Sequence, residues 1–265
     1  MKAPTLRALI FDVDGTLADT EEFHRRAFNA SFAAFGLDWW WNRETYRDLL
    51  RVAGGKPRMR AYAASQDDGL AGHADFDELI RVLHEDKTRR YDALLREQPL
   101  ALRPGIGRLF DEASAHGVSL ALATTTTAAN LEALLTPSLG AHWRERFAAI
   151  VCGGDVAQLK PAPDAYIEAL RQLQVDACEA LAFEDSANGI RSAQAAGLGV
   201  IVTPTWYSLA EALPPGLVSL PHLGDPDHPI PLGAPGAPQV DLARLRAWHA
   251  EHNAATSPGR IAACC

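Results

Sequence analysis

The chain has 265 residues, and hydrophobic side chains make up 48% of it, enough to bury a sizeable core as one large domain or as a core with an insert. A formal net charge of -8 argues against nucleic acid as a partner, because phosphate-backbone binding needs a clustered basic surface. No stretch approaches the ~20 apolar residues of a membrane span, no signal peptide precedes Asp12, and Cys152, Cys178, Cys264 and Cys265 lack metal-site or disulfide spacing, so the reading is a cytoplasmic protein with reduced thiols.

The first element is a short apolar run, Ala8 to Phe11, that enters Asp12-Val13-Asp14-Gly15-Thr16. It reads as a buried strand closed by a turn signal, and alternation places Asp12 and Asp14 on one side. Ionised carboxylates are costly to bury without a cation or hydrogen-bonded partner, and ligands of open α/β sheets bind at the strands' carboxyl ends, so the pair suggests a cation site. From Glu21 the period becomes helical, through Phe23, Ala27, Ala30, Ser31, Ala34 and Phe35, until Gly36 supplies a stop. Further helices are expected over 43–52, 56–65 and 76–95, with Gly54-Gly55 and Asp67-Asp68-Gly69 as breaks. Helices without intervening strands read as an inserted bundle, residues 20–96, within a core formed by 1–19 and 97–265.

Alternation resumes at Pro104-Gly105: helix 106–116, strand 118–123, helix 128–135, strand 148–152, helix 163–173, strand 180–183, helix 189–196 and strand 200–202. That order predicts an α/β fold, a parallel, doubly wound sheet with right-handed crossovers. Residues 221–238 are rich in proline and glycine and read as an irregular ordered loop or a linker, and 241–252 as a last surface helix.

Four motifs stand in a fixed order: Asp12-Val13-Asp14-Gly15-Thr16, Thr124 after Leu120-Ala121-Leu122-Ala123, Lys160 before Pro161, and Glu184-Asp185-Ser186 after Leu181-Ala182-Phe183. In these the chain resembles the haloacid dehalogenase-like phosphotransferases, whose Rossmann-like core carries an inserted helical cap that closes over the active site. Asp12 is then the nucleophile, since a carboxylate can form an aspartyl-phosphate that splits one hard displacement into two. Asp14 is the general acid and base, protonating the leaving sugar oxygen and later deprotonating water. Gly15 lets the backbone approach a phosphate, and Thr16 either donates to it or caps a helix. Thr124 would donate to a phosphoryl oxygen; Thr125 and Thr126 either join it or are strand and cap residues. Lys160 would neutralise charge on Asp12 and on the transferring group. The implied metal set is Asp12, Asp14 through its backbone carbonyl, Asp185 directly, and Glu184 directly or through water, a set of oxygens that suits Mg²⁺.

Glu21, Glu22 and His24, the turn Gly54-Gly55-Lys56-Pro57-Arg58 and the run Asp38-Trp39-Trp40-Trp41 look like the CbbY-type sugar phosphatases, close to β-phosphoglucomutase. That resemblance implies a Mg²⁺-dependent enzyme that converts the small-molecule substrate xylulose 1,5-bisphosphate, an inhibitor of the carbon-fixing carboxylase, to xylulose 5-phosphate; a monomer is expected, although the sequence itself does not give the oligomeric state. Neither nucleic acid nor membrane is an expected partner. Glu21, His24, Gly54, Gly55, Lys56, Arg58 and Lys87 are the expected substrate contacts, with Lys56 and Arg58 on the phosphate that is not transferred. His24 and Lys87 also read as ordinary helix residues, and the tryptophans as filling of the bundle core. A phosphomutase is the runner-up, because Thr20 and His24 keep the mutase spacing. A noncatalytic sugar-phosphate binder would not need both Asp12 and Asp14.

Overall fold

The structure, a computed structural model, describes residues 4–66, 69–209, 213–214, 216–231 and 238–256. Cys264-Cys265, the Asp67-Asp68 break and part of the Pro/Gly-rich segment lie outside them. In chain order the elements are β1 (Ala8–Phe11), α1 (Glu21–Ala34), α2 (Arg43–Leu49), α3 (Gly55–Ala64), α4 (Phe76–Glu97), α5 (Ile106–Ala115), β2 (Ser119–Ala123), α6 (Ala128–Leu139), β3 (Ala149–Val151), α7 (Asp164–Leu173), β4 (Ala180–Glu184), α8 (Ala187–Ala195), β5 (Gly199–Val202), β6 (Val218–Ser219) and α9 (Leu242–Thr256). No helix among the described residues is long and apolar enough to cross a membrane. The elements form two compact units: one from Met1–Ala18, Leu102–Thr126 and His142–Cys265, the other from Asp19–Ala101 and Thr127–Ala141.

The first unit is a six-stranded sheet, every pairing parallel, in the order β3-β2-β1-β4-β5-β6. Parallel strands covered on both faces read as continuous apolar runs, and β1, with Ala-Leu-Ile-Phe wholly buried, is such a strand. One face carries five alanines (Ala8, Ala121, Ala123, Ala180, Ala182) and Ile10, packed with Tyr166, Ala169 and Ile190 of α7 and α8. On the other face Phe11 stacks on Phe183, centroids 4.3 Å apart, and meets Phe110 of α5 edge-on at 5.1 Å. Because Phe11 is in register with Leu122 and Phe183, the residues that leave β1, β2 and β4 emerge side by side. Chain order reverses at β1, and open sheets bind ligands in the crevice at such a reversal.

The Pro/Gly-rich segment is an ordered loop over its described part: Leu223 N–H donates to Pro104 O (3.0 Å), Val240 N–H to Leu223 O (2.7 Å) and Ile230 N–H to Pro238 O (2.7 Å), with Leu220, Leu223 and Ile230 buried.

In the helical unit α1 lies along α4, and α2, α3 and α6 complete the bundle. Its centre is aromatic. Trp41 is fully buried, with ring centroids 4.7 Å from Phe28, 4.9 Å from Phe32, 5.8 Å from Tyr46 and 5.5 Å from Tyr62. The connection after α1 is fixed by Asn29, whose side chain accepts from Trp41 N–H (2.9 Å) and donates to Trp41 O (2.8 Å). Trp39 joins this core, whereas Trp40 is 64% exposed, so two of the three tryptophans fill the bundle.

Candidate active site

At the carboxyl edge of β1 and β4 stand three buried carboxylates, Asp12, Glu184 and Asp185, each with an oxygen within 4.8 Å of the others'. Asp12 is held there by its own N–H, which donates to Phe183 O at 3.0 Å. Lys160 lies between two of the acids, its Nζ donating to Asp12 Oδ1 and Glu184 Oε1, both at 2.6 Å. Burial raises the Asp12 carboxyl to about 7, with Lys160 acting against the rise and Glu184 and Asp14 reinforcing it. Burial also works against the Lys160 charge, yet Asp12 and Glu184 outweigh it and keep the ammonium well above its ordinary range. The lysine is thus a fixed cation paired with two of the three clustered acids, and the cluster keeps a surplus of acidic groups that a small hard cation would offset.

Two glycines make room for this cluster. Gly15 has φ +83°, and a Cβ there would lie 2.4 Å from Asp185 Oδ2; at Gly189, in the first turn of α8, it would lie 1.9 Å from Glu184 Oε2. The donor set is all oxygen and its surroundings hold no bulk on those sides, so the residues present fit a divalent cation. Asp185 is further tied by Ser208, whose Oγ donates to Oδ2 at 3.0 Å. Arg103 donates to the carbonyls of Gly15, Thr203, Pro204 and Pro221, fastening the loop that carries Asp14. Asp14 is half-buried, and its side chain is outside the three-carboxylate cluster.

The phosphate-facing residues divide. Thr16 is buried, and its hydroxyl has no hydrogen-bond partner among the described residues, a cost that a ligand oxygen would remove. Thr124 is buried and accepts from Thr126 N–H at 3.1 Å, which leaves its hydroxyl proton to donate elsewhere. Thr125 is exposed and Thr126 half-buried, and Thr126 O accepts from Gly153 N–H. Thr127 caps α6, accepting from Asn130 N–H at 3.2 Å.

In the helical unit Lys87 is buried, its Nζ donating to His24 Nδ1 at 2.8 Å and lying 4.8 Å and 4.9 Å from the ring centroids of Phe28 and Tyr91. His24 itself stacks on Tyr91 at 3.9 Å. His84 belongs to this group: a Cβ on Gly55 would lie 2.7 Å from its Nε2, and burial, then Lys87, Lys56 and His24, push the imidazole down to about 4. Lys56 is exposed. Arg58 is engaged inside the bundle, donating to Leu49 O (3.2 Å), Tyr46 OH (3.1 Å) and Val52 O (3.4 Å); Tyr46 OH in turn donates to Glu21 Oε2 at 2.7 Å. Gly54 takes φ +86° just before α3, a conformation open to glycine.

A profile of the haloacid dehalogenase-like hydrolases matches residues 6–197. The chain belongs to that family. Protein CbbY of Cupriavidus necator is 52% identical over 246 residues, 92% of this chain and 97% of that one. A crystal structure of mutant CbbY from Rhodobacter sphaeroides in complex with xylulose-(1,5)bisphosphate superposes with a TM-score of 0.76 at 46% identity, covering 82% of this chain and 95% of the other. CbbY from the same organism in complex with phosphate gives 0.74 at 47% identity, covering 81% and 93%. As a member of this family with such relatives, the chain is an enzyme, a phosphatase.

Tyr166, Ser208, Gly189, Arg103 and His84 stand out only in the structure. A glycine in the first turn of a helix is a signal of close approach and points to Gly189; the other four are joined to the site by contacts distant in sequence, which carry no local signature.

Proposed function

We propose that this enzyme hydrolyses one phosphate ester of a small sugar bisphosphate, xylulose 1,5-bisphosphate to xylulose 5-phosphate, with Mg²⁺ held by Asp12, Asp185, the Asp14 carbonyl and Glu184, the last directly or through water. The observation that carries the substrate is the relative at 46% identity crystallised with xylulose-(1,5)bisphosphate. The chemistry is supported by the carboxylate cluster with Lys160 at its centre.

When bound, Mg²⁺ supplies charge neutralisation between the carboxylates and the phosphoryl oxygens. Asp12 attacks phosphorus, forming an aspartyl-phosphate as the bond from phosphorus to the sugar oxygen breaks. Asp14 gives its proton to that oxygen, then takes one from the water that hydrolyses the aspartyl-phosphate. Lys160, fixed beside Asp12, opposes the negative charge that builds on the transferring group, while the Thr16 and Thr124 hydroxyls donate to its oxygens, with Thr125 and Thr126 beside them. Lys56, Lys87 and His24 meet the second phosphate, and Glu21 accepts from a sugar hydroxyl. Arg58 serves by holding Tyr46, and through it Glu21, in place.

The test is product analysis with Mg²⁺ present. Xylulose 1,5-bisphosphate should yield inorganic phosphate and xylulose 5-phosphate in equal amounts, and β-glucose 1-phosphate should not be isomerised. Isomerisation of the glucose phosphate at a comparable rate would assign the chain to the mutases.

A further inference from the structure

Lys160 alone does not account for the surroundings of Glu184. This side chain is completely buried, and its Oε1 accepts two hydrogen bonds: one from Lys160 Nζ at 2.6 Å and one from the phenol of Tyr166 at 2.7 Å. Tyr166 sits in the first turn of α7, itself fully buried. Its ring lies 4.9 Å from Lys160 Nζ, and the ammonium is 3.5 Å from the phenol oxygen. A phenol has one proton, and the 2.7 Å approach to a carboxylate oxygen, which can only accept, directs it at Glu184. On its far side the glutamate is walled by Gly189, and among the described residues Oε2 receives only the long donation from Asp185 N–H at 3.3 Å. The two oxygens are therefore unequal: Oε1 is saturated by donors, and Oε2 keeps its lone pairs for other work.

We propose that Tyr166 is a positioning residue that divides Glu184 between two tasks. The phenol pins Oε1 so that Oε2 is presented to the cation, directly or through a coordinated water. It also relieves Lys160 of being the sole donor to this carboxylate. The ammonium has three protons: Asp12 and Glu184 take two at 2.6 Å each, and the third makes only a long, 3.5 Å donation to the phenol oxygen of Tyr166, which a phosphoryl oxygen could replace. Without the phenol, the glutamate would draw on Lys160 alone and could rotate, and the cation would lose an oriented ligand. Groups that hydrogen-bond metal ligands typically change metal affinity or activity 10–100-fold when removed. The inference rests on the Mg²⁺ assignment above.

The test is Tyr166→Phe, which deletes one oxygen and keeps the ring that packs in the core. Mg²⁺ affinity is measured by calorimetry on substrate-free protein, beside the Mg²⁺ concentration that half-saturates turnover. We expect both to weaken about 10- to 100-fold, with KM for the sugar phosphate within about twofold of the parent at saturating Mg²⁺. High Mg²⁺ should restore most of the lost rate. A purely structural tyrosine would lower thermal stability and leave the Mg²⁺ affinity of the folded protein unchanged; that outcome overturns the proposal. So does a lower rate that no Mg²⁺ concentration repairs. Should Tyr166→Phe fold poorly, Tyr166→Met at low temperature carries the same comparison, the affinity being read on the folded fraction. If the parent enzyme neither binds nor needs Mg²⁺, the metal assignment fails; if the parent binds and Tyr166→Phe binds equally well, the role of Tyr166 fails.

Discussion

Each unit buries charged side chains, and the two stabilise them by different means. In the sheet unit Asp12, Glu184 and Asp185 are all 7% exposed or less, gathered around Lys160. In the helical unit the buried cation is Lys87, 6% exposed, set against His24 Nδ1 and the faces of Phe28 and Tyr91, with His84 and Lys56 contributing to the same field. Direct pairing suits the first set because its carboxylates have fixed places at the ends of adjacent parallel strands, whereas ring faces add quadrupole attraction to the second. Neither arrangement is what stability alone would select, since a buried ion pair is often matched by apolar residues of equal volume. In the sheet unit the excess of buried carboxylates over ammonium fits a cation.

Removing the nucleophile breaks the sheet half of this comparison outright. Asp12→Asn should reduce turnover to background, because an amide does not attack phosphorus, while circular dichroism and the melting profile stay native; readily measurable turnover in the folded variant would show that Asp12 is not the nucleophile. Crowding the same cluster comes next. Gly189→Ala places a methyl 1.9 Å from Glu184 Oε2, so the glutamate must shift, at a cost typical of overpacking, about 1–3 kcal/mol, with loss of activity. Urea denaturation with the Mg²⁺ dependence of turnover measures both, and an unperturbed variant would show that Glu184 has room to move.

The helical half is sharpened by two basic residues that look alike in sequence. Lys56→Ala should lower kcat/KM on the bisphosphate about 10- to 150-fold, the range for losing a hydrogen bond to a charged group, and leave an aryl phosphate nearly unaffected. Arg58→Ala should lower the melting temperature and slow both substrates together, because its donors serve Leu49 O, Tyr46 OH and Val52 O. Identical profiles for the two variants would erase the distinction drawn between them. The smallest effect is expected from His84. Its imidazole is pushed down to about 4 in the fold, so the unfolded chain takes up a proton first as pH falls. The stability this gives is complete above the ordinary histidine value near 6.5 and is lost as pH drops toward 4. Stability curves at pH 7 and pH 4.5 should therefore converge more for His84→Gln than for the parent.

Much of the fold was legible because its strands are short apolar runs that end in chemistry. Ala8 to Phe11 is both the run read from sequence and the strand observed; Asp12 and Thr124 follow their strands, and Glu184 ends β4. Helices were readable to within a few residues, as with α4, whose observed end at Glu97 lies two residues beyond the expected one. The two-residue strand β6 was invisible, being too short for any period. So was the grouping of α6 with the helical unit, which depends on packing between segments far apart in the chain. At the site, residues that touch the reaction stood in local motifs, while those that hold them did not. Tyr166 is recognisable only once Glu184 is seen beside it, and Arg103 only once four carbonyls converge on it.

Turnover should depend on a cation held by the carboxylate cluster. The direct measurement is phosphate release from the bisphosphate by enzyme stripped with chelator and then titrated with Mg²⁺, for the parent and for Asp185→Ala. The account predicts no release from stripped enzyme, saturable recovery in the parent, and recovery in Asp185→Ala only at Mg²⁺ concentrations at least about tenfold higher. Full activity in excess chelator, or identical titrations for the two proteins, would contradict it.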